Sequence, residues 1–339
     1  MCRLRAVGPY IGSSRLRAEV VYFRDLAEFG ATIGAAAEQL GISGTAIEKD
    51  YWVTQVLQAL QQGFGNDFVF KGGTSLSKGY GIVERFSDDL DILILPGDRG
   101  KGATDKLMKS MGQTATSATG GQAERYGGSE TGVHRAYRIS YPATYEATSA
   151  IATSVLLEMG IRGGPKPHEQ VPISSLLGKT LEAAGEDLSE YDDLQPFDAA
   201  ILHPGRTLLE KLYFMHGLAR QVAANSFDAD RLRRHGRHFY DVYKLLGNTQ
   251  VLSLLADRAQ AEQIKASIEA VSQEEFKVTS ELRPDSGFAA SPAFDPDSYV
   301  SRQMQHAYDA IMPALYFGTD PLPEWQDVCN RVQEHRQLL

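Results

Sequence analysis

The stretch FVFKGGTSLSKGYGIVERFSDDLDILIL, residues 68–95, restricts the fold more than any other part of the chain. A short apolar strand, DFVF, runs into Lys71, Gly72 and Gly73. A short helix, TSLSKGYG, follows, and then a second strand, DLDILIL, headed by acids. Alternate residues of a strand share a face. Asp89 and Asp91 therefore point one way, while Leu90, Ile92 and Ile94 point into a core. Asp88 has the parity of the apolar set but lies at the strand mouth, free to turn to solvent. Clustered carboxylates repel and are costly to desolvate, so they call for a cation. Two same-face aspartates make a hard oxygen site that suits Mg²⁺, which keeps waters and binds substrate phosphates alongside. The alternative is a solvated acidic strand end.

The glycine pair sharpens this reading. Glycines between a strand and a helix let a backbone approach a phosphate closely. Lys71 and Lys78 add charge, and Ser75 and Ser77 add hydroxyls. The pattern is neither a Walker A loop nor GxGxxG. Joined to a DxD strand, it describes a site for a metal-bound triphosphate.

The remaining segments set the architecture. Residues 1–25 are expected to be an uncertain tail. AIEKDYWVTQVLQALQQG is helical, with Val53, Val56, Leu57 and Leu60 on one side and Tyr51 and Trp52 as core. Glu48 and Asp50 are expected in structural salt bridges. Residues 97–132 are rich in Gly, Ser and Thr and read as a partly mobile excursion with one helix around residues 105–112. VHRAYRISYP and ATSVLLEMGI read as strands, RGGPKPHEQVP as a loop. After about Leu176 strand signals fade and three segments of helical period follow. The expected organisation is an α+β lobe over residues 26–180 and a helical lobe over residues 181–339 that completes the active site. The substrate is expected between them.

Composition limits the function classes. At 339 residues, 42% hydrophobic and 23% charged, this is an ordinary globular chain. No apolar run reaches a membrane span, and the N-terminus has no apolar h-region of a secretory signal. The two cysteines, Cys2 and Cys329, form no disulfide framework, and a cytoplasmic location is expected. A net charge of −9 argues against nucleic-acid binding by overall charge. It leaves room for a local basic run in DADRLRRHGRHFYDVYK, with Arg231, Arg233, Arg234, Arg237 and Lys244, which is either a solvated helix start or a contact to an RNA backbone.

The segment KGGTSLSKGYGIVERFSDDLDI resembles the glycine-then-acid signature of the polymerase-β-like nucleotidyltransferases. More narrowly, the chain is similar to the AbiEii/AbiGii toxin nucleotidyltransferases, which include the MenT-type toxins. IEKDYWVTQVLQAL, VLLEMGIRGGPKP, RTLLEKLYFMHGL and RHFYDVYKLL resemble further stretches of that family in order, and the likeness spans roughly residues 40 to 320. It implies a polymerase-β-like core, a small mixed sheet with helices, followed by a helical lobe. It implies Asp89 and Asp91 as Mg²⁺ ligands, with Gly72, Gly73 and Ser75 cradling the phosphates of an NTP. The metal would activate a hydroxyl for attack on the α-phosphate, and pyrophosphate would leave.

The resemblance also weighs on single residues. Glu158, an acid in an otherwise apolar strand, is either a third carboxylate of the site, as base or metal ligand, or a glutamate facing Arg138 or Arg162. Lys211 is either a phosphate ligand or a lysine snorkelling at the rim of a core helix. Asp241 either orients Lys211 or Arg237, or makes an ordinary helical ion pair. Arg237 joins the NTP-binding set with Lys71. Arg206 is a helper or a solvent arginine, and His238 a structural partner of Asp241. A phosphate on Ser87 would add roughly two negative charges beside the metal ligands and silence the enzyme.

The implied activity is NMP transfer to an RNA 3′ end, most plausibly the tRNA acceptor end. This would block translation in a toxin–antitoxin or phage-defence system, with a cognate antitoxin as partner and no membrane. One alternative is NMP transfer to a small-molecule or protein hydroxyl. The other is an NTP-binding regulatory module without turnover.

Overall fold

The computed structural model describes residues 21–87, 89–148, 151–274 and 282–339. Cys2, Asp88 and most of the expected tail lie outside the described residues. Of that tail, Phe23–Asp25 forms a 3-10 turn, and the Phe23 and Arg24 amides donate to the Asp193 carboxylate at 2.8 and 3.1 Å.

The first half runs α1 (Phe29–Leu40), α2 (Gly44–Phe64), β1 (Phe68–Lys71), α3 (Gly72–Lys78), β2 (Asp89–Ile94), α4 (Lys101–Thr119), β3 (Ala123–Arg125), β4 (His134–Ser140) and β5 (Ser154–Gly160). Next come β6 (His168–Ile173), α5 (Leu176–Ala183) and β7 (Phe197–Leu202). Among the described residues of the second half the α-helices are α6 (Pro204–Ala223), α7 (Ala229–His235), α8 (Arg237–Leu246), α9 (Thr249–Ala256), α10 (Arg258–Glu274), α11 (Tyr299–Leu315) and α12 (Trp325–Glu334). The seven strands form one mixed sheet in the order β3-β4-β5-β2-β1-β7-β6. β1 and β2 are antiparallel, while β2–β5 and β1–β7 are parallel.

Strand parity divides the sheet. Phe68, Phe70, Leu90, Ile92, Ile94, Val155, Leu157 and Met159 face a core shared with α1, α2, α4 and α5. Helix α2 supplies Ile47, Tyr51, Trp52, Val53, Val56, Leu57 and Leu60 to it, all essentially buried. Its start is fixed by Ser43, whose side chain accepts from the Ala46 amide. A second core joins α6, α8, α9, α11 and α12 to Leu76, Ile82 and Val83. On the other sheet face Val69, Leu93 and Leu202 form a small apolar cluster with Leu95 packed against it. The same face carries Lys71, Asp89, Asp91 and Glu158, the polar groups of the site.

Three segments depart from expectation. The helix expected around residues 105–112 is present within residues 97–132 but longer, a 19-residue α4 from Lys101 to Thr119. Its core contact is a sparse line of Met108, Met111 and Ala115, too few apolar residues to stand out among Lys, Ser and Thr. The loop expected at RGGPKPHEQVP contains edge strand β6, where Pro172 needs no ladder partner on its open side. Strand β7 lies beyond residue 180, where strand signals fade, yet it sits inside the sheet. Its Ala199 and Ala200 have little intrinsic strand preference, and burial between β1 and β6 decides their state.

Candidate active site

The polar sheet face brings the acids together. Asp91 stands opposite Lys71 on β1 and opposite Glu158 on β5, and Asp89 lies two residues back on the same face. Glu158 is on an interior strand, with β2 on one side and β4 on the other, where an edge position was the alternative. Arg138 lies over the Tyr126 ring, and Arg162 pairs with Glu130 at 2.8 Å. Burial, with the charges of Asp91 and Asp89 adding to it, raises the Glu158 carboxyl to about 7. Burial also raises Asp91, with Lys71 opposing and Asp89 adding to the rise. These carboxylates resist ionising together, which is the electrostatic condition for holding a cation. Among the described residues no three His, Cys, Asp or Glu side chains converge as a ready metal cage. The chemistry therefore fits a cation held by Asp89 and Asp91, with the remaining positions left to water and substrate oxygens.

The stability consequence has a definite sign. Folded Glu158, at about 7 against an ordinary 4.5, keeps a proton that the unfolded chain sheds. Stability therefore falls as pH rises from about 4.5 through 7. A divalent cation should offset that loss. In a thermal melt, added Mg²⁺ is expected to raise Tm more at about pH 8 than at about pH 5.

The glycine pair has a steric reason. Gly72 has φ of +81°, and a Cβ there would fall well inside contact distance of Asp91 Oδ2. A Cβ on Gly73 would sit 2.5 Å from Arg85 Nη2. Each glycine thus lets one charged side chain reach the backbone. Gly72→Ala is expected to destabilise the fold by about 1–2 kcal/mol from backbone strain alone. It should also displace Asp91, so transfer activity should fall with the carboxylate, as a melt paired with an activity assay would show. The serines and one lysine of this turn face elsewhere. Ser75 is fully buried and donates to Gly72 O at 2.8 Å, and Ser77 donates to Thr74 O at 3.1 Å. Lys78 is tied to Asp50 at 2.5 Å, so its charge is already engaged. Glu48 accepts from the Thr144 and Tyr145 amides, an amide clamp where a salt bridge was expected.

The helical half contributes a buried charge network. Lys211 on α6 reaches Asp241 on α8 at 2.8 Å and His238 Nδ1 at 3.0 Å. It is 8% exposed and turned inward, not snorkelling. Asp241 is fully buried and also accepts both prongs of the Arg85 fork, at 2.6 Å each. Burial opposes its charge, but Arg85 and Lys211 together hold its carboxyl well below the usual range. Burial, with the Lys211 charge, keeps His238 neutral, so its Nδ1 accepts from the ammonium. Arg237 makes no helical pair with Asp241. It crosses to the sheet and bonds Asp89 Oδ2 at 2.9 Å. Its Nε is buried without a partner, a donor left over for an anion. Arg206 lies outside this cluster, pinning Lys166 O at 2.6 Å and Glu210 at 3.0 Å.

A cavity of about 240 Å³ opens beside the glycine turn. Thr74, Ser77, Lys78, Ser87, Lys49 and Phe317 are among its walls. Thr74 donates to the backbone oxygen of Asp89 at 2.6 Å, so the cavity wall and the acid strand are directly joined.

A family model described as "Nucleotidyl transferase AbiEii toxin, Type IV TA system" matches residues 55–331. The chain belongs to this family. Among solved structures, it is similar to the MenT4 nucleotidyltransferase toxin of Mycobacterium tuberculosis H37Rv, at 18% identity and a TM-score of 0.47. That alignment covers 90% of this chain and 95% of the MenT4 chain. No curated protein matches. Among the described residues no helix is long and apolar enough to cross a membrane.

Within this AbiEii chain, sequence reasoning missed Arg85. Its only signal is an arginine inside an apolar-to-acid transition, IVERFSDD, where a surface position is the ordinary expectation. Only the fold shows that it is 1% exposed and locked to Asp241.

Proposed function

We propose that this AbiEii nucleotidyltransferase transfers NMP from a Mg²⁺-bound NTP to an RNA 3′ end, with the tRNA acceptor end as the leading substrate. The observation that carries the reading is the opposition of two charge sets. Asp89, Asp91 and Glu158 lie on the sheet, and Lys211 and Arg237 face them from the helical half. Asp89 and Asp91 hold the metal, which when bound neutralises triphosphate charge and polarises the α-phosphate. Lys71, Lys211 and Arg237 bind the phosphates, with the unpartnered Arg237 Nε as one donor. Gly72 and Gly73 keep the turn slim enough for triphosphate and carboxylate to meet. Glu158, whose carboxyl sits at about 7, takes the proton of the attacking hydroxyl. The new P–O bond forms as the bond to the β-phosphate breaks, and pyrophosphate departs.

The acceptor assignment rests on α7. Arg231, Arg233 and Arg234 are exposed there, and Arg237 follows at the start of α8. That places a basic strip beside the site on a chain of net charge −9. Phosphate contacts of this kind orient an RNA without reading its sequence. A cognate antitoxin is the expected partner, as the family's type IV toxin–antitoxin description implies.

Ser87 lines the cavity, with its hydroxyl 3.2 Å from where a Gly73 Cβ would stand. A negative charge there repels the triphosphate. Ser87→Glu is expected to lower NTP-dependent transfer by about tenfold or more, and wild-type rates in that variant would remove Ser87 from the site.

The deciding experiment is incubation with total tRNA, Mg²⁺ and each of four labelled NTPs in turn, beside an Asp91→Ala control, followed by a denaturing gel. Label on tRNA from wild type alone supports the reading. Pyrophosphate release without tRNA label moves the acceptor to a small-molecule or protein hydroxyl. No pyrophosphate from folded protein with any acceptor rejects turnover.

A further inference from the structure

We propose that Arg85 is a positioning residue for nucleotidyl transfer, holding Lys211 over the sheet carboxylates through Asp241. The inference rests on the nucleotidyltransferase reading of the site, though not on its RNA acceptor.

The geometry is that of a clamp. Arg85 Nε bonds Asp241 Oδ1 and Nη2 bonds Oδ2, both at 2.6 Å. The remaining prong, Nη1, donates to Phe86 O at 3.0 Å. A planar fork bound at both oxygens removes rotation of the carboxylate, which a lysine at that position does not do. Asp241 Oδ2 then meets Lys211 Nζ from a fixed direction at 2.8 Å. His238 takes a second ammonium hydrogen at 3.0 Å. Among the described residues the third has no partner, so it is the one free to meet a phosphate oxygen. Its His238 partner follows Arg237, which bonds Asp89 Oδ2 at 2.9 Å, so the ammonium is linked to the acid strand through adjacent residues of α8.

Arg85 is itself fixed from three sides. Its residue bridges Tyr316 in an antiparallel pair, and the flanking Phe86 and Phe317 amides bond Leu315 O and Glu84 O at 2.9 and 3.0 Å. Its Nη2 packs on Gly73, where no side chain fits. One guanidinium therefore touches the phosphate-side turn and the lysine-bearing half together. Gly73 is explained by the same contact, since any larger residue would push the guanidinium off Asp241.

The test is titration of wild type, Arg85→Met, Arg85→Lys, Lys211→Met and the Arg85→Met/Lys211→Met double variant with the four α,β-methylene nucleoside triphosphates in Mg²⁺. It needs no acceptor. Arg85→Met and Lys211→Met are each expected to weaken binding of the preferred analogue by about tenfold, the worth of one charge-assisted hydrogen bond. The double variant should bind no more than about threefold weaker than Lys211→Met alone, because Arg85 acts through Lys211. Added guanidinium should restore binding in Arg85→Met and not in Lys211→Met. Multiplying losses in the double variant, or folded Arg85→Met with wild-type affinity, would overturn the proposal. If Arg85→Met does not fold, Arg85→Lys decides: it keeps the charge and loses the fork, so weakened binding supports positioning and wild-type binding rejects it. A wild-type protein that binds none of the four analogues overturns the nucleotidyltransferase reading as well, whereas intact binding without an Arg85 effect overturns this inference alone.

Discussion

Asp241→Asn is expected to destabilise the protein by about 3–5 kcal/mol and to abolish most transfer activity at once. Asp241 directly pairs both Arg85 and Lys211, and it is fully buried. Asparagine keeps the shape and removes the charge. Two cations then remain in a site with little water, and an uncompensated buried charge is far more costly than a lost surface pair. Lys211 also loses the partner that aims it, so a rate loss of about a hundredfold or more accompanies the fall in Tm, the scale of removing one preorganised electrostatic donor. A melt and a labelled-NTP assay on the same preparation check both halves. A variant that melts like wild type would show that the Arg85–Asp241–Lys211 network is not what holds the helical half to the turn.

Asp91→Asn should give the opposite pairing of effects. Transfer is expected to fall by about a thousandfold, since several kcal/mol of metal-borne charge stabilisation depends on this ligand. Stability should hold or rise. Burial and Asp89 both oppose the Asp91 charge, so neutralising it relieves repulsion in the metal-free protein. Glu158 should fall from about 7 toward its ordinary value, because the Asp91 charge that follows burial among its causes is gone. The Mg²⁺-dependent rise in Tm should vanish in this variant. A loss of stability comparable to that of Asp241→Asn would mean that Asp91 holds the fold and would remove it from the metal site.

The two substitutions separate what kind of carboxylate each aspartate is, and the sequence carries that distinction unevenly. Asp89 and Asp91 were legible because strand parity is local: a period of two puts them on one face whatever else the chain does. The glycine pair was legible as a site of close approach, although what approaches could not be read. The two neighbours are Asp91 and Arg85, one of them twelve residues downstream of Gly73. Lys211 and Asp241 were singled out largely through family likeness, and periodicity alone left a snorkelling lysine and a helical ion pair open. The same locality explains the misses. The full length of helix α4 is hidden because its core stripe is no more than Met108, Met111 and Ala115, and β7 is a strand because its neighbours in the sheet require one.

The sequence by itself determined the local devices: the strand–glycine–helix turn, the same-face acids, the helical period of the second half and membership of a nucleotidyltransferase toxin family. These follow from backbone geometry and side-chain order over a few residues. The tertiary structure alone decided which charges meet. It set Glu158 opposite Asp91, sent Arg237 across to Asp89 instead of along its own helix, and buried Arg85 against Asp241 from 156 residues away. Those pairings depend on distance and desolvation in the packed interior, and neither quantity is written in the spacing of residues along a chain.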